Sequence, residues 1–310
     1  MQRLWTARRL RDRVAGIGTA VLALAASSLA LWISLVLAAR AWPILSGRPL
    51  AELLFSTTWR PAQGIFGYYP FIMGTLWVTL VAMAMAIPVC LLSAIYLAEY
   101  ASAGLHRLVK PLIDLAAGIP SVVYGIWGVL VVVPLVQDLI AAGPARWGKA
   151  LPLLQTDNPT GYGVLAGGIV LAIMVFPVII SVAEEVIRAV PQGLREASLA
   201  LGATRWQTIK HVVLWRAAPG VVAAVVLGFS RAFGETIAVL MVVGNVVQVP
   251  HSVFDAAYPL TALIANNYGE MMSVPLYDAA LLGAALILLL VVLFFNVGAR
   301  LVLLRLARWE

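Results

Sequence analysis

The chain has 310 residues, of which 62% are hydrophobic and 11% charged. A soluble domain usually carries about 25% charged residues. Twenty-one basic and 14 acidic side chains cannot clothe a globule of this length in water, so the composition fits a bilayer as solvent. In such a protein the net charge of +7 bears on topology first and gives no ground for a nucleic-acid partner. The single cysteine, Cys90, excludes an intrachain disulfide and any multi-cysteine metal site. His106, His211 and His251 are scattered without ligand spacing, so no metal site is predicted.

A membrane helix needs about 20 mostly apolar residues. Uncharged runs at Val14–Ala39, Pro61–Ala98, Leu115–Gln137, Asn158–Ala183 and Ala279–Ala299, with Ala217–Gly244 broken only by Arg231 and Glu235, meet that need. Backbone groups in lipid must be satisfied within the segment. The expectation is an all-α membrane protein of one transmembrane domain, with six spans at about 16–39, 71–98, 115–136, 164–184, 218–246 and 279–301. The first run also has the Arg-rich start and Ala23-x-Ala25 of a cleaved signal. Its uncharged core is longer than the roughly 7–15 residues of a signal peptide, which favours a retained span.

Charge sets the expected orientation. Segments 1–13, 99–114, 184–216 and 300–310 hold 15 Lys and Arg, against five on the opposite side, which places both termini in the cytoplasm. On the outer side, Trp42, Trp59, Tyr68 and Tyr69 suit a membrane interface. Residues 138–162 read as irregular, and 258–269 as a short re-entrant or interfacial helix. Pro88, Gly118-Ile119-Pro120, Gly125, Gly128 and Pro177 interrupt the spans, as kinked packing or as a moving path. Gly163-x-x-x-Gly167 has the spacing for close helix packing.

The inner loop, 188–215, reads as two short helices around a glycine. Pro191 suits a first turn, and Leu194, Ala197, Ser198 and Leu201 share one face. Gly202 follows as a C-terminal cap, and Thr204 with Gln207 has capping-box spacing. Such a basic element lies on anionic lipid or docks into a groove of a partner.

Arg231 and Glu235, at i and i+4, are expected on one face of the fifth span. An unpaired Arg near the bilayer centre costs at least about 2.5–3.5 kcal/mol, so both should face the bundle interior. Two readings follow: an ion pair that fixes packing, or an oxyanion relay. In the relay, the fork of Arg231 matches oxyanion geometry and Glu235 limits its resting affinity. Ser230 and Thr236 flank the pair as hydroxyl donors. Gly143 to Lys149 nearly matches a phosphate-cradling loop, but Ala150 stands where a Ser or Thr must hold Mg²⁺. Hydrolase signatures are missing.

Glu196-Ala197-Ser198, then Gly202, Ile209 and the Leu214-to-Pro219 approach, resembles the EAA motif of ABC-importer permeases. Ser198 replaces the second Ala, and Leu214-Trp215 stands where Leu-Pro is usual. Trp59-x-Pro61 with Phe66-Gly67-Tyr68-Tyr69-Pro70-Phe71-Ile72-x-Gly74-Thr75-Leu76 is similar to the C-type permeases of phosphate importers. Ala117 to Gly125 and Arg231 to Thr236 are similar to such permeases generally. The resemblance spans roughly 60–300.

The resemblance implies the permease subunit of an ATP-driven importer moving inorganic phosphate across a bacterial inner membrane. It implies no cofactor on this chain, with ATP and Mg²⁺ in a cytoplasmic ATPase dimer gripping Glu196, Ala197, Ser198 and Gly202. It implies a second, A-type permease subunit, a periplasmic phosphate-binding protein and a lipid bilayer as further partners. The alternatives are an ABC permease for molybdate or sulfate, and a channel or membrane enzyme.

Overall fold

The computed structural model describes residues 2–142, 157–270 and 274–306. The near phosphate-loop match at 143–149 lies outside them. Among the described residues six helical segments are long and apolar enough to cross a bilayer. Helix α1 (Gln2–Gly47) runs 46 residues and accommodates Pro43. It overruns the predicted 16–39 at both ends. Helix α2 (Leu50–Phe55) follows, then a small hairpin of β1 (Trp59–Arg60) and β2 (Ile65–Phe66), with Trp59 opposite Phe66.

The hairpin seats an aromatic cluster instead of an interface belt. Trp59 lies edge-on to Phe66 at 5.2 Å and to Phe71 at 4.9 Å. Tyr68, expected at the membrane interface, is fully buried. Its hydroxyl donates to the Ala280 carbonyl at 2.8 Å, which satisfies the polar tip of a ring otherwise committed to the core. Trp42 remains exposed.

Helix α3 (Tyr69–Ile95) extends through a π-helical turn at Tyr96–Tyr100. Helix α4 (Ala103–Ala117) stands where only an inner loop was expected, and Ser102 caps it by accepting the Leu105 N–H at 3.3 Å. The predicted third span, 115–136, is shifted. Pro120 stops the chain from joining α4, because the residue before a proline avoids helical geometry. Helix α5 (Ser121–Trp127) begins there and passes through a π-helical turn (Gly128–Val132) into α6 (Val133–Ala142).

Helix α7 (Val164–Arg188) is the central span, with 67% of its apolar window buried. It makes the largest helix–helix contact with α3, where Gly167 and Gly168 admit Val78 and Val81. Helices α8 (Gln192–Ala200) and α9 (Arg205–Thr208) form the loop expected on the inner side, and a π-helical turn (Ile209–Val213) leads into α10 (Leu214–Gly234). Helices α11 (Ile237–Val242), α12 (Leu260–Asn267) and α13 (Tyr277–Leu306) complete the chain. Helix α12 falls in the stretch read as a short re-entrant or interfacial helix and buries Leu260 to Leu263. Helix α10 packs on α7, and α1 lies outermost against α13. The bundle thus has a loop end carrying α8 and α9 and a hairpin end carrying β1 and β2.

Candidate functional site: a broken helix and a clamped loop

The predicted fifth span, 218–246, is two helices. Glu235 is extended, at φ −70° and ψ 131°, and ends α10. The break overturns the i, i+4 geometry expected of Arg231 and Glu235, and no ion pair joins them. The physical cause is local satisfaction of the freed backbone. Glu235 Oε1 accepts the Ala238 N–H at 3.2 Å and so caps α11. Its carbonyl accepts from the Thr261 hydroxyl of α12 at 3.0 Å. Thr236 donates to the Gly234 carbonyl at 3.3 Å. The carboxylate that periodicity assigned to a guanidinium serves a helix start.

Arg231 is left with a buried Nε that has no hydrogen-bond partner among the described residues. Gly228, about one turn earlier, lies against Ile179 near the middle of α7, which sets the depth of Arg231 in the bundle. The guanidinium is within electrostatic reach of Tyr124 on α5. Gly125 lets α5 approach α11 closely: a Cβ there would meet Met241 Sδ at 2.5 Å and the Ala238 Cα at 3.3 Å. The break therefore stands beside the start of α5, after Gly118-Ile119-Pro120. Ser230 donates to Asn296 Oδ1 of α13 at 2.8 Å, so its one proton is already committed. Of the four predicted pathway residues, only Arg231 offers an unmatched donor.

At the loop end the two short helices form as expected. Thr204 and Gln207 make a reciprocal capping box. Gly202 adopts φ +85°, the left-handed conformation that closes a helix end. Ser198 and Thr208 share a hydroxyl hydrogen bond at 2.9 Å that ties α8 to α9. Leu201 departs from the expected shared apolar face. It is 90% exposed at the tip, where none of the described residues covers it. The pair is clamped to the end of α3. Arg195 Nη2 lies 2.7 Å from Glu99 Oε1, in a bridge with both side chains mostly buried. Arg195 also donates to the Ile187 and Val190 carbonyls. Arg205 donates to the Glu99 carbonyl and sits over the Tyr100 ring at 4.6 Å.

A second charged cluster was not foreseen. Glu184 on α7 is 2% exposed. Its carboxylate meets His106 Nε2 at 2.9 Å, Lys110 Nζ at 3.2 Å and Arg188 Nη1 at 3.3 Å. Lys110 also reaches Glu185 at 3.0 Å. Burial acts to lower the Lys110 pKa, but hydrogen bonds and charge from Glu185 and Glu184 outweigh it and hold the amine above its ordinary value. This cluster fastens α4 to α7. Its trace in the sequence is a matched spacing: His106 and Lys110 at i, i+4 face Glu184 and Arg188 at i, i+4.

The family described as "Binding-protein-dependent transport system inner membrane component" matches residues 86–308. The chain belongs to that family. It is 40% identical to the phosphate transport system permease protein PstC of Xylella fastidiosa strain 9a5c, over 98% of this chain and 95% of that protein. It is 36% identical to the probable ABC transporter permease protein YqgH of Bacillus subtilis strain 168, over 95% of this chain and 92% of that one. Among solved structures, the inward-facing MetNI methionine ABC transporter matches with a TM-score of 0.56 and 21% identity, over 75% of this chain and 93% of that chain. At that identity the likeness is one of fold. This inner-membrane component has the family segment begin within α3, so α1 and the hairpin precede it.

Proposed function

We propose that this chain is the translocation subunit of an ATP-driven importer carrying inorganic phosphate into the cytoplasm. Support comes from its family, from PstC relatives similar over nearly the whole chain, and from one structural observation above all: the unmatched, buried Nε of Arg231 beside a broken helix. A guanidinium held deep in an apolar bundle attracts an oxyanion through planar paired donors. Without a committed carboxylate its donors stay available. An anion passing through a low-dielectric path then has a compensating charge at mid-depth. Glu235 serves the path indirectly, by fixing where α10 ends.

In this reading the loop end faces the cytoplasm with both termini, and the clamped α8–α9 pair docks a separate ATPase dimer through the tip around Leu201. Glu196, Ala197, Ser198 and Gly202 lie in that pair. ATP and Mg²⁺ belong to the ATPase. A second permease subunit faces the exposed residues of α5, and a periplasmic phosphate-binding protein delivers substrate at the hairpin end. The test is uptake of labelled phosphate by the four-component complex in proteoliposomes, with unlabelled phosphate, sulfate or molybdate as competitors. Phosphate alone should compete. Equal competition by sulfate or molybdate would replace the phosphate assignment with a different oxyanion.

A further inference from the structure

Between the α8–α9 pair and the end of α3 lies an open cavity of about 680 Å³ that the proposed route does not use. Its lining includes Glu99, Arg188, Gln192, Arg195, Arg205 and Thr208. Three guanidiniums thus share a space with one carboxylate. Arg195 is matched, since it takes Glu99 through both Nε and Nη2 and two backbone carbonyls besides. Arg188 is matched in part, through the Glu184 carboxylate it shares with His106 and Lys110, and Arg205 has no carboxylate partner among the described residues. Arg188 uses only Nη1, toward His106 and Glu184, and its side chain is 51% exposed. Arg205 uses only Nη2, toward the Glu99 carbonyl. Arg188 Nε and Nη2 and Arg205 Nε and Nη1 therefore find no acceptor among the described residues.

Like charges gathered in one cavity repel unless an anion joins them, and guanidinium forks favour oxygens set as in a phosphoryl group. We propose that this cavity binds a phosphoryl oxyanion between Arg188 and Arg205. Two sources carry that chemistry at a membrane face: free phosphate and the phosphodiester headgroup of an anionic lipid. Arg205 also fastens the α8–α9 pair to α3. An occupant that draws on Arg205 therefore bears on how firmly that pair is held, and hence on coupling. That the cavity faces the cytoplasm rests on the importer reading above; that it binds the anion does not.

The experiment measures protection of single arginines from phenylglyoxal in the purified complex, read by mass spectrometry. Arg48 and Arg60, at the hairpin end, are the internal references. The complex, with and without its ATPase, is placed in nanodiscs of phosphatidylcholine, with or without phosphatidylglycerol, and with or without phosphate against chloride at equal ionic strength. At a ligand concentration about ten times its Kd the unprotected fraction falls to about one-tenth, so modification of Arg188 and Arg205 should slow about tenfold. Slowing by phosphate in phosphatidylcholine alone identifies free phosphate. Slowing by phosphatidylglycerol without phosphate identifies the headgroup. In either case Arg188→Gln should remove the protection of Arg205 while the complex stays assembled. Rates unchanged in every arm overturn the proposal. So does slowing that appears only with the ATPase attached, which would mean an acidic side chain of that subunit fills the cavity. Phosphate uptake is not needed for any arm, so a failed importer reading and a failed cavity are separable.

Discussion

A guanidinium nitrogen buried without an acceptor is costly unless water or an anion visits it. That makes Arg231 the residue on which transport should depend. Arg231→Gln should lower phosphate uptake by at least about a hundredfold, the scale of losing one oxyanion donor, with the complex still assembled. Glu235→Gln should cost little, because a Gln oxygen still accepts the Ala238 N–H; even complete loss of a cap is worth about 1 kcal/mol. Uptake measured on both variants distinguishes the roles. Equal loss in both would mean that Glu235 acts on the anion, not only on the backbone.

Glu184 and Glu185 are adjacent yet should differ sharply. Glu184 is 2% exposed and Glu185 68%. Glu184→Gln leaves three cationic or basic groups without their shared anion and should cost about 3–5 kcal/mol. Glu185→Gln should cost less than about 1 kcal/mol, as an exposed pair. Thermal unfolding of the detergent-purified chain reads both, and matching midpoints would dismiss the cluster as a fastener. The raised Lys110 pKa sets the sign with pH. The folded state holds that proton more tightly, so its contribution is full below the ordinary lysine value and fades only as pH rises through the raised one.

At the scale of elements, the α8–α9 pair is a rigid unit because its turn, cap and clamp agree. A Cβ at Gly202 meets nothing within 4 Å, so Gly202→Ala is opposed only by φ +85°, a cost of about 1–2 kcal/mol. That should weaken the pair without disturbing the spans. Uptake should fall while helical content by circular dichroism is unchanged, and normal uptake per ATP hydrolysed would remove the pair from coupling. This pair was legible in the sequence because its signals are local: Thr204 and Gln207 are three residues apart, and Gly202 sits between the helices.

The break at Glu235 was not legible, because a carboxylate at i+4 from Arg231 satisfies helical periodicity just as well as it caps α11. What decides is Thr261, on a separate helix, whose hydroxyl donates to the Glu235 carbonyl freed by the break. Helix α4 was hidden for a related reason. His106 and Lys110 read as charges of a solvated inner loop until both are seen to meet the buried Glu184. The spans themselves were legible because length and hydropathy suffice to place a helix in lipid, though not to place its ends.

At the scale of the whole molecule, the distribution of charge and the distribution of structure agree. Lys110, Arg188, Arg195 and Arg205, all from expected inner segments, fall at the end of the bundle that holds α8, α9 and the Glu184 cluster. The opposite end is closed by aromatic packing around Trp59 and Tyr68. A basic end is retained on the cytoplasmic side during insertion, so the loop end should face inward. Two exposed positions test it: Gln63, at the hairpin, and Leu201, at the loop tip. The native thiol, Cys90, is buried in the α3–α7 core, and removing it as Cys90→Ala leaves one reactive site per variant. An impermeant maleimide applied to intact cells should label Gln63→Cys and spare Leu201→Cys. Opening the inner face should then expose the second. Labelling of both from outside would reverse this account, because a tip open to the exterior cannot meet an ATPase and a guanidinium waypoint would have no motor behind it.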